Sequence, residues 1–230
     1  MRLYEFYPYF YINKTIKTLE KNANQPLVEE YSLRHMCATF FGKYADSNNS
    51  NKYGECYDWF FNNLKNADDT ISLRPFIDLI RYAVEDARAD TTEKPILPAA
   101  YFTNSRVQVK AVEKHYEDLY GEKGNTDLKV IFEYIRDKAD RKFKKDRLTI
   151  EKFDAMANLI IQKGKLTDVK DTDAMLNLLL VNGIVREQYI RLPYGSQKCV
   201  QFALLYKYYL GLGSWQRKWD KGTASRELMY

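Results

Sequence analysis

Apolar side chains recur at helical spacing through the first half of this chain, which predicts a helical domain. The first stripe, over residues 33–44, consists of Leu33, Met36, Cys37, Phe40, Phe41 and Tyr44. A second stripe, over residues 53–64, consists of Tyr53, Cys56, Tyr57, Phe60 and Leu64. A third helix is predicted to begin after an N-cap at Ser72 and to bury Phe76, Ile77, Ile80, Val84 and Ala87. A fourth is predicted to begin at Ser105 and to bury Val109, Val112, Tyr116 and Leu119.

After residue 125 three shorter helices are predicted, followed by a change from helical to extended spacing. Their buried positions are Leu128, Ile131, Phe132 and Ile135 in the first, Phe153, Met156, Ala157 and Ile160 in the second, and Met175, Leu178 and Leu179 in the third. Residues 184–192 and 199–206 are rich in strand-forming side chains, and residues 193–196 are predicted to turn. Three helices followed by a two-stranded ribbon is the order of a winged helix.

The predicted fold is therefore mainly α, a helical lid-like bundle followed by a winged-helix domain of three helices and a β-ribbon. We predict a helical domain over residues 1–124, the winged helix over residues 125–213, and a basic aromatic tail over residues 214–230. The best candidate linker is residues 90–95. The aromatic N-terminus, residues 1–12, is either a strand from a larger sheet or an arm packed on the helices.

Composition narrows the class of protein without identifying a partner. The formal net charge is +5, from 36 basic and 31 acidic residues that are interleaved along the chain, and this balance does not demand nucleic acid. Cys37, Cys56 and Cys199 are widely spaced, which favours reduced thiols in the cytoplasm over a zinc or redox motif. His35 and His115 stand alone, and no apolar stretch is long enough to span a membrane. We expect a cytoplasmic protein without a metal or cofactor.

The most informative stretch is the predicted helix start within residues 70–80, which carries one basic side chain in its first turn. A cation there opposes the helix dipole, so Arg74 needs an anionic partner or access to water. Two interpretations are open. Arg74 is either a solvated or ion-paired arginine at an ordinary helix start, or a contact for a phosphate group.

This succession of features resembles the C-terminal part of bacterial P-loop ATPases of the AAA-related, STAND-like kind. The resemblance rests on the aromatic helix at residues 33–44, Asp58-Trp59-Phe60-Phe61, the helix start Ser72-Leu73-Arg74-Pro75 and the segment at residues 206–213. It implies a helical lid, in which an arginine before a proline faces the nucleotide phosphates, followed by a winged helix. Arg74 would then contact phosphate once a nucleotide-binding core is supplied.

The nucleotide-binding core itself does not occur in this sequence. There is no Gly-x-x-x-x-Gly-Lys-Ser/Thr motif, and Gly42-Lys43-Tyr44 lacks both the upstream glycine and the hydroxyl that would reach magnesium. No apolar strand ends in paired acids, and no nucleophile lies beside a plausible base. We therefore expect a non-catalytic chain whose partner is an ATPase core or another protein.

Nucleic-acid binding is the alternative function. Residues 136–147 contain the basic side chains Arg136, Lys138, Arg141, Lys142, Lys144, Lys145 and Arg147. Such a run can contact a phosphate backbone, and Arg186, Arg191 and Lys198 of the predicted wing could join it. However, Phe143 shares an apolar face with Ile135, which favours the solvated side of a long helix.

The helix that would enter the DNA major groove, residues 171–182, is poorly suited to that role. It starts with Asp171 and Asp173 and contains no Lys or Arg, whereas groove-reading helices need donors for phosphates and guanine edges. We therefore favour a protein-contacting winged helix in the regulatory and interaction portion of a P-loop ATPase. A free-standing winged-helix protein that binds nucleic acid through the basic helix and wing remains the alternative.

The missing phosphate loop leads to a first prediction. The isolated chain should neither bind nor hydrolyse ATP, because it lacks the residues that position a phosphoryl group and its magnesium. Titration calorimetry with magnesium and ATP should give no binding heat. A heat signal of micromolar affinity would contradict this prediction.

Overall fold

The structure is a computed structural model that describes residues 26–46, 53–88, 97–121, 125–192 and 195–214. Within these ranges the protein is mainly helical, with a small antiparallel sheet of three strands. The chain divides into two compact units, Met1–Asp118 and Leu119–Tyr230, which we call unit 1 and unit 2. The boundary predicted from the sequence lies after residue 124. The predicted N-terminal arm at residues 1–12, the linker at 90–95 and the tail beyond residue 214 lie outside the described residues.

Unit 1 is built from helices. They are α1 (Pro26–Phe41), α2 (Cys56–Leu64), α3 (Leu73–Ala87), the single turn α4 (Ala99–Phe102) and α5 (Ser105–Tyr120), which ends just beyond the unit boundary. The helix predicted over residues 33–44 starts earlier and ends at Phe41, because Gly42 adopts a φ of +85° that terminates it. Tyr53 precedes α2 and is 53% exposed, so its predicted place in the buried stripe was wrong.

Aromatic rings form the core of unit 1. The Phe60 ring of α2 lies 4.9 Å from the rings of both Phe41 and Phe102, measured between centroids. Trp59 contacts Phe102 at 5.3 Å, and Phe76 of α3 contacts Phe60 edge-on at 5.4 Å. Tilted and edge-to-face pairs at these distances are favourable beyond the burial of their area. The cluster therefore joins the end of α1 to α2, α3 and α4.

The buried face of α3 differs from the prediction. The inner stripe is Pro75, Leu79 and Ala83, at i, i+4 and i+8, while Ile77 is 57% exposed. The helix is thus turned by about one position relative to the predicted face. This rotation carries Asp78 inward beside the apolar stripe, a placement that an apolar pattern alone does not predict.

Unit 2 alternates helices with strands. In chain order it contains α6 (Thr126–Glu133) with a π-helical turn (Tyr134–Lys138), β1 (Arg147–Thr149), α7 (Ile150–Lys163), α8 (Thr172–Val181), β2 (Val185–Leu192), β3 (Gly195–Phe202) and a 3-10 turn (Leu204–Tyr206). The positions predicted to be buried in α6, its π-helical turn and α7 are confirmed, since all eight are almost fully buried. In α8, Met175 and Leu179 are buried, whereas Leu178 is half-buried.

The sheet has the strand order β1-β3-β2, and its edge strand β1 was not predicted. β1 contains a single buried apolar residue, Leu148, and three residues are too few to show a period. The second strand also lies earlier in the chain than predicted. Gly195, which was predicted to lie in the turn, already pairs with Leu192, and Phe202 pairs with Val185 at the other end of the ladder.

One buried carboxylate ties the helices of unit 2 together. Asp127, in the first turn of α6 and 1% exposed, reaches the loop between α7 and α8. Its Oδ1 accepts hydrogen bonds from the amide and hydroxyl of Thr167, both at 2.7 Å, and its Oδ2 accepts from the amides of Asp168 and Val169 at 2.8 and 2.9 Å. Burial alone would raise its pKa, but these donors lower the pKa of Asp127 to about 2.

Replacing this carboxylate should destabilise unit 2. Asp127→Asn should lower the free energy of unfolding at neutral pH by about 2 kcal/mol, because an amide nitrogen would face amide donors. In the wild type, this contribution is present above pH 4 and is lost as the pH falls towards 2, since the folded pKa lies below the unfolded one. Denaturant melts from pH 7 to pH 2 test both effects.

The exposed neighbour Asp168 provides the matched control, because its own side chain is not part of the cluster. Asp168→Asn should leave the melts nearly unchanged. Equal stability of Asp127→Asn and the wild type would show that the carboxylate does not hold the loop.

Candidate functional site

Arg74 lies in the first turn of α3, where its side chain is 46% exposed. Its Nη1 donates a hydrogen bond of 2.6 Å to Oδ2 of Asp118 in α5. Its Nε lies 3.8 Å from Oδ2 of Asp78, one turn further along α3. The anionic partner that a cation needs at a helix start is therefore supplied within unit 1, by two carboxylates.

Asp78 is the buried member of this cluster, at 7% exposure. Its Oδ1 pairs with the guanidinium of Arg81 at 3.0 Å. Its Oδ2 is buried and receives no hydrogen bond from any described residue, because Nε of Arg74 is too distant to donate. A buried carboxylate oxygen without a donor is unfavourable, so a small movement of Arg74 towards Asp78 would be stabilising.

The geometry around Arg74 contains the ion pair of the first interpretation and leaves part of the guanidinium accessible, as the second requires. The first interpretation, an ion-paired arginine at a helix start, is met, because Arg74 pairs with Asp118. A half-exposed guanidinium also retains donors that can reach an incoming anion. Phosphate would have to compete with the Asp118 carboxylate for Nη1, whereas Asp78 would remain behind the guanidinium.

The sequence favoured the solvated side of a long helix for the basic run at residues 136–147, and this prediction was wrong. The helix of α6 ends with its π-helical turn at Lys138, a short turn follows, and the chain enters β1 at Arg147. Phe143 is buried at 3% exposure, as expected for an apolar anchor, but it lies in the turn. We call residues 138–147 the basic loop.

Some cations of this run are engaged by the protein. The ammonium of Lys144 donates to the backbone oxygen of Arg136 at 2.5 Å. Arg136 pairs with Asp137 and donates to the Tyr209 hydroxyl at 2.9 Å. Lys144 and Arg136 therefore form hydrogen bonds within unit 2.

Other cations of the basic loop remain available. Arg141 and Lys142 are exposed, and Lys145 is half-buried. Lys142 lies 3.9 Å from Asp140, at the limit of an ion pair, with 65% of its side chain exposed. Among the described residues, Arg141 and Lys145 form no ion pair.

Two more of the predicted nucleic-acid contacts lie in the outer strands of the sheet. Arg147 of β1 and Arg186 of β2 both lie opposite Gln201 of the central strand β3. Arg186 donates to the Gln201 amide oxygen at 3.2 Å, and Arg147 donates to Gln188 at 2.7 and 3.1 Å when that amide is oriented to accept. Of the remaining wing residues, Lys198 pairs with Glu187, and the side chain of Arg191 lies outside the described part of the chain.

The start of α8 is acidic, as the sequence indicated. Asp171 is its N-cap and accepts a hydrogen bond from the amide of Ala174 at 2.7 Å. Burial raises the pKa of Asp154 on α7, and the nearby charges of Asp173 and Glu151 raise it further. Negative charge thus gathers where α7 and α8 begin.

The thiols and histidines provide no reactive centre within the described residues. Cys37, Cys56 and Cys199 are free, and burial raises the pKa of Cys37 to about 11 and that of Cys56 to about 12. Such thiols stay protonated and are poor nucleophiles. In the same residues, no group of His, Cys, Asp and Glu side chains could hold a metal ion. Within the described ranges, no helix is long and apolar enough to cross a bilayer.

Comparison with known proteins gives no relative, since no family model, curated protein or solved structure matches this chain.

Sequence reasoning missed the carboxylates that organise these sites. Asp118 lies 44 residues from Arg74, and nothing in the spacing of the two indicates their contact. Asp78 carried a usable signal, because an i+4 acid after a helix-start arginine is a common pairing position. Asp127 also carried a usable signal, because an acid in the first turn of a helix is favourable, whereas nothing in the sequence indicated its distant partners.

The contact between Arg74 and Asp118 should contribute only modestly to stability. Both side chains are nearly half exposed, so a double-mutant cycle with Arg74→Ala and Asp118→Ala should give a coupling energy of about 0.5 kcal/mol. Arg74→Ala alone should cost less than about 1 kcal/mol. If Arg74→Ala instead melts many degrees below the wild type, Arg74 is a structural residue and loses its role as a candidate phosphate contact.

Proposed function

We propose that this chain is a non-catalytic regulatory and protein-interaction portion of a P-loop ATPase, with unit 1 as a lid-like domain and unit 2 as a winged helix. The observation that carries the proposal is the position of Arg74. It lies before Pro75 at the exposed start of α3, oriented by carboxylates on α3 and α5. An arginine in this setting is suited to stabilising negative charge on phosphate that another domain binds.

The arrangement of unit 2 supports the winged-helix part of the proposal. Its elements follow the order α6, β1, α7, α8, β2, β3, and β3 lies between the other two strands. The helices α7 and α8 contact each other and are joined by residues 164–171, so they are consecutive neighbours, as the second and third helices of a winged helix are. The hairpin of β2 and β3 would then be the wing.

A protein partner for α8 is favoured over the DNA major groove. Asp171 and Asp173 lie at its start, and Asp154 and Glu151 of α7 add negative charge there. A phosphate backbone would be repelled at this end, whereas a protein surface with basic side chains would not. The three free thiols are consistent with the proposed cytoplasmic setting.

A free-standing nucleic-acid-binding protein is the second candidate function. The observation that favours it is the exposure of Arg141 and Lys142 on the basic loop. Because that loop is not a helix, the basic-helix form of this alternative is replaced by a loop that leads into the sheet.

The phosphate role of Arg74 requires an ATPase core for its test. With a P-loop core from the same genome that forms a stable complex with the chain, Arg74→Ala should lower ATP turnover at least ~10-fold, because charge on the transferred phosphoryl group loses a partner. The matched control is Arg106→Ala, since Arg106 is an exposed arginine in the first turn of α5. It should leave turnover unchanged.

Two results would contradict the proposed function. Failure of every P-loop core of that genome to bind the chain would remove the ATPase partner. Unchanged turnover with Arg74→Ala in a bound complex would remove the phosphate role and leave the interaction role standing.

A further inference from the structure

The excess positive charge of this protein belongs to unit 2. This unit has 21 Lys and Arg residues against 14 Asp and Glu, whereas unit 1 has 15 against 17. The densest group of cations among its described residues is the basic loop. The two acids of the loop are also near cations, since Asp140 lies 3.9 Å from Lys142 and Asp146 lies 3.9 Å from Lys207, and Asp137 just before the loop pairs with Arg136.

The backbone of the basic loop is fixed by contacts with the rest of unit 2. The Asp140 carbonyl oxygen accepts hydrogen bonds from the amides of Phe143 and Lys144, at 2.9 and 3.3 Å. The Lys144 carbonyl oxygen accepts from the amide of Gly213 at 3.0 Å, and the Gly213 oxygen accepts from the amide of Asp146 at 2.9 Å. Because this backbone is already ordered, binding through the loop costs mainly side-chain freedom.

The surface next to the loop is polar. Arg147 follows the loop directly, and Arg147, Gln201 and Arg186 lie in one row across the three strands. Since neighbouring strands are about 4.8 Å apart, the two arginine backbones are about 10 Å apart. The three side chains of this row are half-buried, and glutamines of the sheet accept hydrogen bonds from both arginines, so the row borders the loop as a polar face that is already engaged within unit 2.

A group of acidic side chains lies beyond the other end of β1. β1 runs from Arg147, at the end of the loop, to Thr149, which caps α7. Glu151 and Asp154 follow in α7, and Asp173 lies close enough to affect the pKa of Asp154. A long polyanion can therefore approach the loop end of β1 more favourably than the α7 end.

We propose that unit 2 binds the phosphate backbone of nucleic acid, without sequence preference, through Arg141, Lys142 and Lys145 of the basic loop. Binding comes from release of condensed counterions as these cations approach phosphates. α8 takes no part. This proposal rests on the second candidate function given above, to which it assigns a binding surface and a mode of recognition, and it does not depend on the ATPase role of Arg74.

Nucleic acid fits this surface better than a membrane does. Peripheral membrane binding combines basic residues with apolar side chains that enter the lipid. In the basic loop the aromatic side chain, Phe143, is buried in the protein and cannot insert. The neighbouring row offers glutamine and arginine instead of apolar groups.

The test measures binding of the full chain to a fluorescent duplex of about 20 base pairs and random sequence, at about 50 and 200 mM salt. The combined change Arg141→Gln, Lys142→Gln and Lys145→Gln should weaken binding at least ~10-fold at the lower salt. It should also reduce the slope of log K against log salt by about 2 to 3, because each phosphate that is no longer neutralised lowers the slope by about one unit.

The matched control removes the same charge elsewhere in unit 2. Lys152, Lys163 and Lys165 are exposed and form no ion pair with other described residues, so their combined change to Gln should leave affinity within about twofold. Thermal melts establish that each variant is folded. Arg141→Glu alone is a second variant, and it should weaken binding more than Arg141→Gln.

Several results would overturn the proposal. They are no binding of the wild type at the lower salt, equal losses of affinity in the loop variant and its control, and unchanged binding by Arg141→Glu. Tighter binding to vesicles that contain anionic phospholipid than to the duplex would identify the surface as a membrane contact and overturn it too.

Discussion

The four hydrogen bonds to Asp127 are the interaction on which the arrangement of unit 2 depends. Moving a carboxylate into a protein interior costs several kcal/mol unless donors compensate, and here backbone amides and one hydroxyl do so. The donors belong to the loop between α7 and α8, about forty residues along the chain. The carboxylate therefore fixes the start of α8 relative to α6, and α8 leads into the hairpin through Gly183, whose φ is +64°.

With these elements fixed, the short strand β1 separates two surfaces of opposite charge. The basic loop enters it at Arg147, held by its buried Phe143 and by the backbone of Gly213. Acidic side chains gather beyond its other end, on α7 and at the start of α8. We infer that the two surfaces serve different partners: a protein at α8, and a phosphate backbone at the loop.

Helical periodicity predicted much of the fold, because the buried faces of α6 and α7 follow a regular repeat. The N-cap position at Ser72 was also predicted, since short polar side chains are typical before a first turn, although the Ser72 side chain forms no capping hydrogen bond. The edge strand was not found, because Leu148 gives it a single apolar residue. For the candidate sites, sequence reasoning identified Arg74 and the basic run. It could not predict the contact with Asp118, which only tertiary packing creates, or the loop conformation that Phe143 imposes.

The measurement that tests this account most directly is an NMR titration of the full chain with a short random duplex, followed residue by residue through backbone amide shifts. We expect the shifts to concentrate in residues 138–147 and in the adjoining strands of the sheet, while the amides of α8 remain unchanged. Shifts concentrated in α8, with the basic loop unaffected, would contradict the separation of the two surfaces and would indicate a groove-reading winged helix.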